Sequence, residues 1–228
     1  MIHPLDRPVW NALATGWSHL AIGDARARRI DPSYGPFGAA ADGGEAAGAA
    51  LAALVPADGE LWLVDHAPLP PPPGAVVLRT ARLAQMIAVD LPTLDAPAQD
   101  VAVLTDADVP EMQALASMTR PGPFHPLTHR LGRFIGIRSE GRLVAMAGER
   151  MRLPGFAEIS GVCTHPDHRG EGHAKRLMHL VARAMLARGE TPFLHAYADH
   201  EATIALYERL GFAVRAELDL IVLGTDKG

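Results

Sequence analysis

Residues 164–174 read Thr-His-Pro-Asp-His-Arg-Gly-Glu-Gly-His-Ala, and their types allow two chemistries. His165 and His168 stand three apart in a loop, with His173 and His195 in reserve, and four imidazoles invite a metal ion. A zinc site asks for a third strong ligand and an ordered second shell. The spacing supplies neither, and no His-Glu-x-x-His run occurs. His165 and His168 are therefore read as exposed loop residues, and no metal is expected. The second chemistry is anion binding. Gly170 and Gly172 let the backbone approach an anion closely, Arg169 adds a fixed charge, and a helix that starts here points unpaired N–H groups and a positive dipole end at it. The run is not a dinucleotide fingerprint, because Lys175 stands where a third glycine would be needed. It is not a Walker loop either, because no Gly-Lys-Ser/Thr follows.

The loop matters only if the flanking elements place it. "FAEISGVCT" before it reads as a strand ending near Thr164. After it, Ala174, Leu177, Met178, Val181, Ala184 and Met185 fall at helical spacing, and Gly189 and Pro192 end that helix. Upstream, "RFIGIRSEGRLVAMAGERM" predicts two strands joined at Ser139-Glu140-Gly141. Asp108, with Glu111 three residues on, predicts a capped helix to about residue 119, broken by "PGPF" at 121–124. Downstream come a strand ("PFLHAY"), a helix ended by Gly211 and a final strand or pair. In the first half, residues 44–55 predict an Ala-rich helix, and "ELWLVDH" and "AVVLRT" two strands around the stiff run "PLPPPPG". "RLAQMIAV" is a mixed apolar segment. The aperiodic, proline-bearing stretch 90–100 is the better seam and predicts two units, 1–98 and 99–228.

With the loop between a strand and a helix, two stretches resemble the signatures of the GNAT N-acetyltransferase superfamily. Arg169, Gly172 and Ala174 fit its Arg/Gln-x-x-Gly-x-Gly/Ala core, with Gly170 also common there. "ADHEATIALYERLGF" at 198–212 is similar to its second signature through Leu206, Tyr207, Gly211 and Phe212, and more loosely through Ala202 or Ala205. The resemblance covers residues 100–223 and is nearest to the C-terminal half of glycine N-acyltransferase-like proteins. It implies an α/β (α+β) fold: a mixed central sheet with splayed strands, flanked by helices. A smaller N-terminal α/β region, read as a degenerate unit of the same kind, would precede it. It also implies acetyl-CoA as acyl donor, held by Arg169, Gly170, Glu171, Gly172, His173 and Ala174. The pantetheine arm would pair with the backbone of Val162, Cys163 and Thr164. His200 stands where the family usually has Asn, so a cofactor contact is carried over to it with a changed side chain.

The resemblance further implies direct attack by an amine in a ternary complex. A deprotonated amine needs a base, since an ammonium group loses its proton near pH ~10. Strand alternation puts Glu158 on the face of Ser160, Val162 and Thr164, making it the first candidate; Glu149 is the rival. Tyr207 is the acid for the departing thiolate. Cys163 lacks a partner fixed by spacing and is read as buried and inert. In the loop "TRPGPFHPLTHR", Arg120 and Phe124 are the candidates for holding the acceptor.

Composition bounds the alternatives. The 228 residues are 48% hydrophobic and 21% charged, with net charge −5, which speaks against a nucleic-acid partner. A single cysteine excludes an internal disulfide and fits a reducing cytoplasm. There is no apolar leader and no long apolar run, so a soluble cytoplasmic enzyme acting on the primary amine of a small molecule, an amino acid or a peptide is expected, with Arg120 able to hold the carboxylate of an amino-acid acceptor. The alternatives are a longer acyl donor, or a CoA-binding sensor without turnover.

Overall fold

The computed structural model describes residues 3–67, 69–92 and 100–225. Eleven strands and five α-helices alternate along them. Strands β1 (Ala21–Gly23), β2 (Ala27–Ile30) and β3 (Gly38–Ala40) form a small antiparallel sheet. The main sheet holds the other eight: β4 (Leu61–Asp65), β5 (Val76–Ala88), β6 (Val101–Val103), β7 (Phe134–Ser139), β8 (Arg142–Leu153), β9 (Phe156–Thr164), β10 (Thr191–Tyr197) and β11 (Phe212–Gly224). Their order is β4-β11-β5-β10-β9-β8-β7-β6, and β9 with β10 is the one parallel neighbour pair among them. The expected mixed sheet is present.

Adjacent residues on these strands feed opposite layers, as the two-residue strand period requires. Phe193 packs with α1 (Pro8–Ala14), while Leu194 packs with α4 (His173–Ala187). Likewise Met146 faces α3 (Val109–Thr119), and Ala145 and Ala147 face α4. The helical spacing seen in the sequence is met by α4, which buries Leu177, Met178, Val181 and Met185. Helices α2 (Glu45–Ala52) and α5 (Glu201–Arg209) complete the set. The β7–β8 hairpin turns at Glu140 and Gly141, both at positive φ (49° and 81°), with Ser139 opposite Arg142. That is the mirror-image turn whose twist suits a two-residue hairpin.

Three expectations are corrected. The capping box lies one turn earlier than Asp108–Glu111. Thr105 caps a 3₁₀ turn, Asp106–Asp108, and Asp108 reaches back to the Thr105 amide at 2.8 Å. Glu111 instead accepts from the Leu143 amide at 3.2 Å. "AVVLRT" and "RLAQMIAV" belong to one thirteen-residue strand, β5, because β11 is long enough to pair with all of it. The elements α1 and β1–β3 have no counterpart in the sequence reading.

The boundary expected at 98/99 lies outside the described residues, but the regions on either side of it share a sheet. Strand β5 sits between β10 and β11, pairing with Phe193–Tyr197 on one edge and Phe212–Gly224 on the other. Among the described residues, no helix is long and apolar enough to cross a membrane. A fragment of residues 99–228 therefore leaves β10 and β11 without their shared partner. It should lack the cooperative thermal unfolding of the full chain, measured by circular dichroism. A cooperative transition in the fragment would show that its sheet closes without β5.

Candidate active site

The site begins where β9 and β10 part. They pair through Thr191–Phe156, Pro192–Ala157 and Phe193–Glu158, and no further. β9 stays paired with β8 as far as Thr164, so Ile159–Thr164 keep one free edge. An extra β9 residue falls between the pairs Met146–Cys163 and Gly148–Ser160, which makes a bulge. Gly161 fills it at φ +63, and a Cβ there would come within 2.8 Å of the Phe134 ring. The bulge also breaks the alternation that had put Glu158 and Val162 on one face.

Beside the free edge lies a groove of ≈ 550 Å³. Its walls include Val162, Cys163, Thr164, Arg169, Gly170, Gly172, His173 and Ala174, the segment expected to hold the donor. Gly170 and Gly172 have φ of +85° and +80°, and a Cβ on either would meet nothing within 4 Å. Gly172 is the N-cap of α4 in the left-handed region, and no side chain caps the helix. The helix start therefore presents open N–H groups and the positive dipole end beside Arg169. These residues fit an acyl-CoA: amides and Arg169 for phosphate, and a free strand edge for the amide-bearing arm. Glu171 does not line the groove. Its carboxylate lies 3.3 Å from His168 Nδ1 and 3.1 Å from His173 Nε2, so the loop gathers three ligand-type groups that spacing alone had set apart. His168, expected to be exposed, is half-buried there, as is His173.

A second cavity, ≈ 260 Å³, opens on the other side of the fork. Phe37, Trp62, Val64 and Leu83 from the first half line it, facing Arg120, Arg150, His195, Tyr197 and His200. Val162, Thr203 and Tyr207 line both spaces. Tyr207 on α5 thus stands at their junction, and burial raises its phenol above the usual tyrosine range. His200, just before α5, lines the second cavity and is not among the residues lining the groove. Phe124 lines neither; it packs edge-on against Phe134 at 5.7 Å, in the cluster that holds Cys163. Cys163 is buried, and burial pushes its thiol up to about 11, so it is no nucleophile at neutral pH.

Glu158 and Glu149 are both engaged by other side chains. Glu149 pairs with Arg188 at 2.8 Å, away from the cavity. Glu158 is 0% exposed and lies behind Arg150 and His195. It accepts from Arg150 Nε and Nη2 at 2.8 and 2.7 Å and contacts His195 Nδ1 at 2.8 Å. Burial alone would raise its pKa; the charge and hydrogen bonds of Arg150, with that of His195, outweigh this and hold it at about 2. Such a carboxylate does not take a proton from an amine.

Sequence reasoning missed the rest of this network. The Nε2 of His195 is 3.0 Å from Gln85 Nε2, which also donates to Leu5 O at 2.9 Å. Arg215 Nε donates to Gln85 Oε1 at 2.6 Å, and Arg215 Nη2 to Asp6 at 2.8 Å. Because Arg215 only donates, the Gln85 oxygen must face it and the amide nitrogen must face His195. His195 therefore accepts at Nε2 and donates from Nδ1 to Glu158. Both ring nitrogens are engaged. A Gln in the middle of "RLAQMIAV" and an Arg in "FAVRAEL" were the available signals, being polar residues inside apolar strands.

Comparison with known proteins follows this geometry. A family model described as FR47-like protein matches residues 134–219. N-alpha-acetyltransferase RimI of Mycobacterium tuberculosis is 32% identical over 133 residues, 53% of this chain and 82% of that protein. A crystal structure from Novosphingobium aromaticivorans, assigned to the GNAT family of acetyltransferases, is 50% identical. It covers 99% of this chain and 100% of its own, with a TM-score of 0.92. A GCN5-related N-acetyltransferase from Kribbella flavida, 19% identical, covers 97% and 96% with a TM-score of 0.61 and shares the fold. The chain belongs to the GNAT acetyltransferases, enzymes that use an acyl-CoA donor and an amine acceptor.

Proposed function

We propose that the protein transfers an acetyl group from acetyl-CoA to the primary amine of a small acceptor, both being bound at once. The observation that carries this reading is the meeting of two cavities at Val162, Thr203 and Tyr207. The groove takes the donor and the second cavity the acceptor, so the amine reaches the junction from the side opposite the phosphate loop. The name of the RimI relative places that protein's chemistry at an α-amine, in keeping with a primary-amine acceptor. The changed residue His200 lies on the acceptor side and leaves the donor groove intact, which weighs against a sensor without turnover.

The bound donor supplies an activated carbonyl carbon with a thiolate leaving group. Tyr207 keeps its proton at neutral pH and offers it as charge grows on the departing sulfur, whose conjugate acid has a pKa of ~8.5 by analogy with cysteine. For the amine, no carboxylate lines the acceptor cavity, both nitrogens of His195 are engaged, and the Tyr197 hydroxyl accepts from Arg79 at 3.3 Å. His200, its side chain 59% exposed, is the titratable group left on that wall to pass the amine proton to solvent. Glu158 is a positioning residue: it fixes Arg150 and His195, which form the wall.

Three measurements test this. Tyr207→Phe should lower kcat by ~10²-fold or more with little change in acetyl-CoA affinity, because only the transition state loses a contact. Wild-type turnover in that variant would make Tyr207 a packing residue. Arg169→Ala should weaken acetyl-CoA binding about tenfold in calorimetry, the scale of one charge-assisted bond, with the Tm of the free protein unchanged. Unaltered affinity would place the anion elsewhere. Glu158→Gln leaves Arg150 buried without its anion and should cost ~3 kcal/mol in urea unfolding at pH 7. The folded pKa lies below the unfolded value of ~4.3, so this contribution is full above that value and fades as pH falls towards 2. In the wild type the same loss should appear as acid destabilisation over that window. Unchanged stability, with turnover rescued at high pH, would restore Glu158 as the base.

A further inference from the structure

Helix α3 ends on Arg120, whose backbone is left-handed at φ 51° and ψ 57°. Its amide closes the helix on Ala116 O at 2.8 Å. Glycine is the usual residue at such a helix end, because a Cβ is strained there. Among the described residues, only Glu140, in the hairpin turn, is another non-glycine at positive φ. The turn itself does not need arginine: any residue closes the helix through its backbone, and glycine would do so without strain. The side chain is what remains to explain a residue kept in a strained conformation.

That side chain lines the acceptor cavity. Arg120 is exposed and has no ion-pair partner among the described residues. The other guanidinium on the wall, Arg150, is held in two bonds by Glu158 and stacked over Phe37 at 4.8 Å. No Asp or Glu lines the cavity. Its remaining surface is largely apolar and aromatic, with Phe37, Trp62, Leu83 and Leu220. A space of ≈ 260 Å³ accommodates one small molecule. A polycationic amine would meet uncompensated positive charge and no carboxylate; an amine that also carries an anion would meet its complement.

Resting on the acyl-transfer reading above, we infer that the acceptor is a free amino acid with an apolar side chain, its carboxylate held by Arg120 and its side chain by the aromatic wall. Arg120 is then a specificity-determining residue whose backbone strain is retained for recognition. A peptide or protein N-terminus, which lacks a carboxylate next to the amine, is disfavoured.

The test compares phenylalanine, phenylalaninamide and 2-phenylethylamine as acceptors, following CoA release and the acetylated product by mass spectrometry. The wild type should favour phenylalanine in kcat/KM by on the order of ten- to a hundredfold, the value of a bond to a charged group. Arg120→Gly should raise KM for phenylalanine to the level of its amide, so that the preference for the acid over the amide disappears. Its Tm should equal or exceed that of the wild type, because the strain at φ 51° is relieved. Equal use of acid and amide by the wild type, or a preference that survives in Arg120→Gly, would overturn the proposal. So would a fall in Tm, since Arg120 would then be held by structural contacts. A protein that binds acetyl-CoA yet releases CoA with no amine at all refutes the acyl-transfer reading itself, a separate outcome.

Discussion

The fork between β9 and β10 is the constraint on which the rest depends. Two parallel strands that paired along their whole length would offer no free edge for a donor and no gap for two substrates to meet. The last pair before the strands part is Glu158 with Phe193, and Glu158 is the buried anion that ties the fork together. It joins Arg150 on β8 to His195 on β10, across the place where backbone pairing stops. An ion pair this deep repays its desolvation only with near-complete hydrogen bonding, and here each carboxylate oxygen has two partners. Its value is less in net stability than in holding two diverging strands at a set separation.

From that point the molecule divides its labour. On the groove side, glycines and an uncapped helix leave backbone exposed to bind charge. On the other side, aromatic and charged side chains line the second cavity. The first ninety residues add Phe37, Trp62, Val64 and Leu83 to the wall of the second cavity, and their strand β5 is also what lets β10 and β11 belong to one sheet. Leu5 and Asp6, near the start of the chain, reach the same network through Gln85 and Arg215. The N-terminal region is thus at once a structural member of the sheet and a contributor to the wall of the second cavity.

The donor loop, α4, the β7–β8 hairpin and Tyr207 were legible in the sequence because local rules write them. Glycines at positive φ, a 3.6-residue apolar period, a Glu-Gly turn and a short helical signature each depend on residues close in the chain. What the tertiary structure decided involves partners far apart. Glu158 looked like a base because alternation pointed it at Val162, but the bulge at Gly161 and the pairing of Arg150 and His195 turned it into a buried anchor. Phe124 packs, half-buried, against Phe134, and His200 lies on the wall of the second cavity. Gln85, His195 and Arg215 lie as much as 130 residues apart in the chain, and their shared network exists only because β5 enters the sheet between β10 and β11. Local chemistry wrote the glycine loop and its helix into the sequence; strand order, which no local rule encodes, built the second cavity beside them.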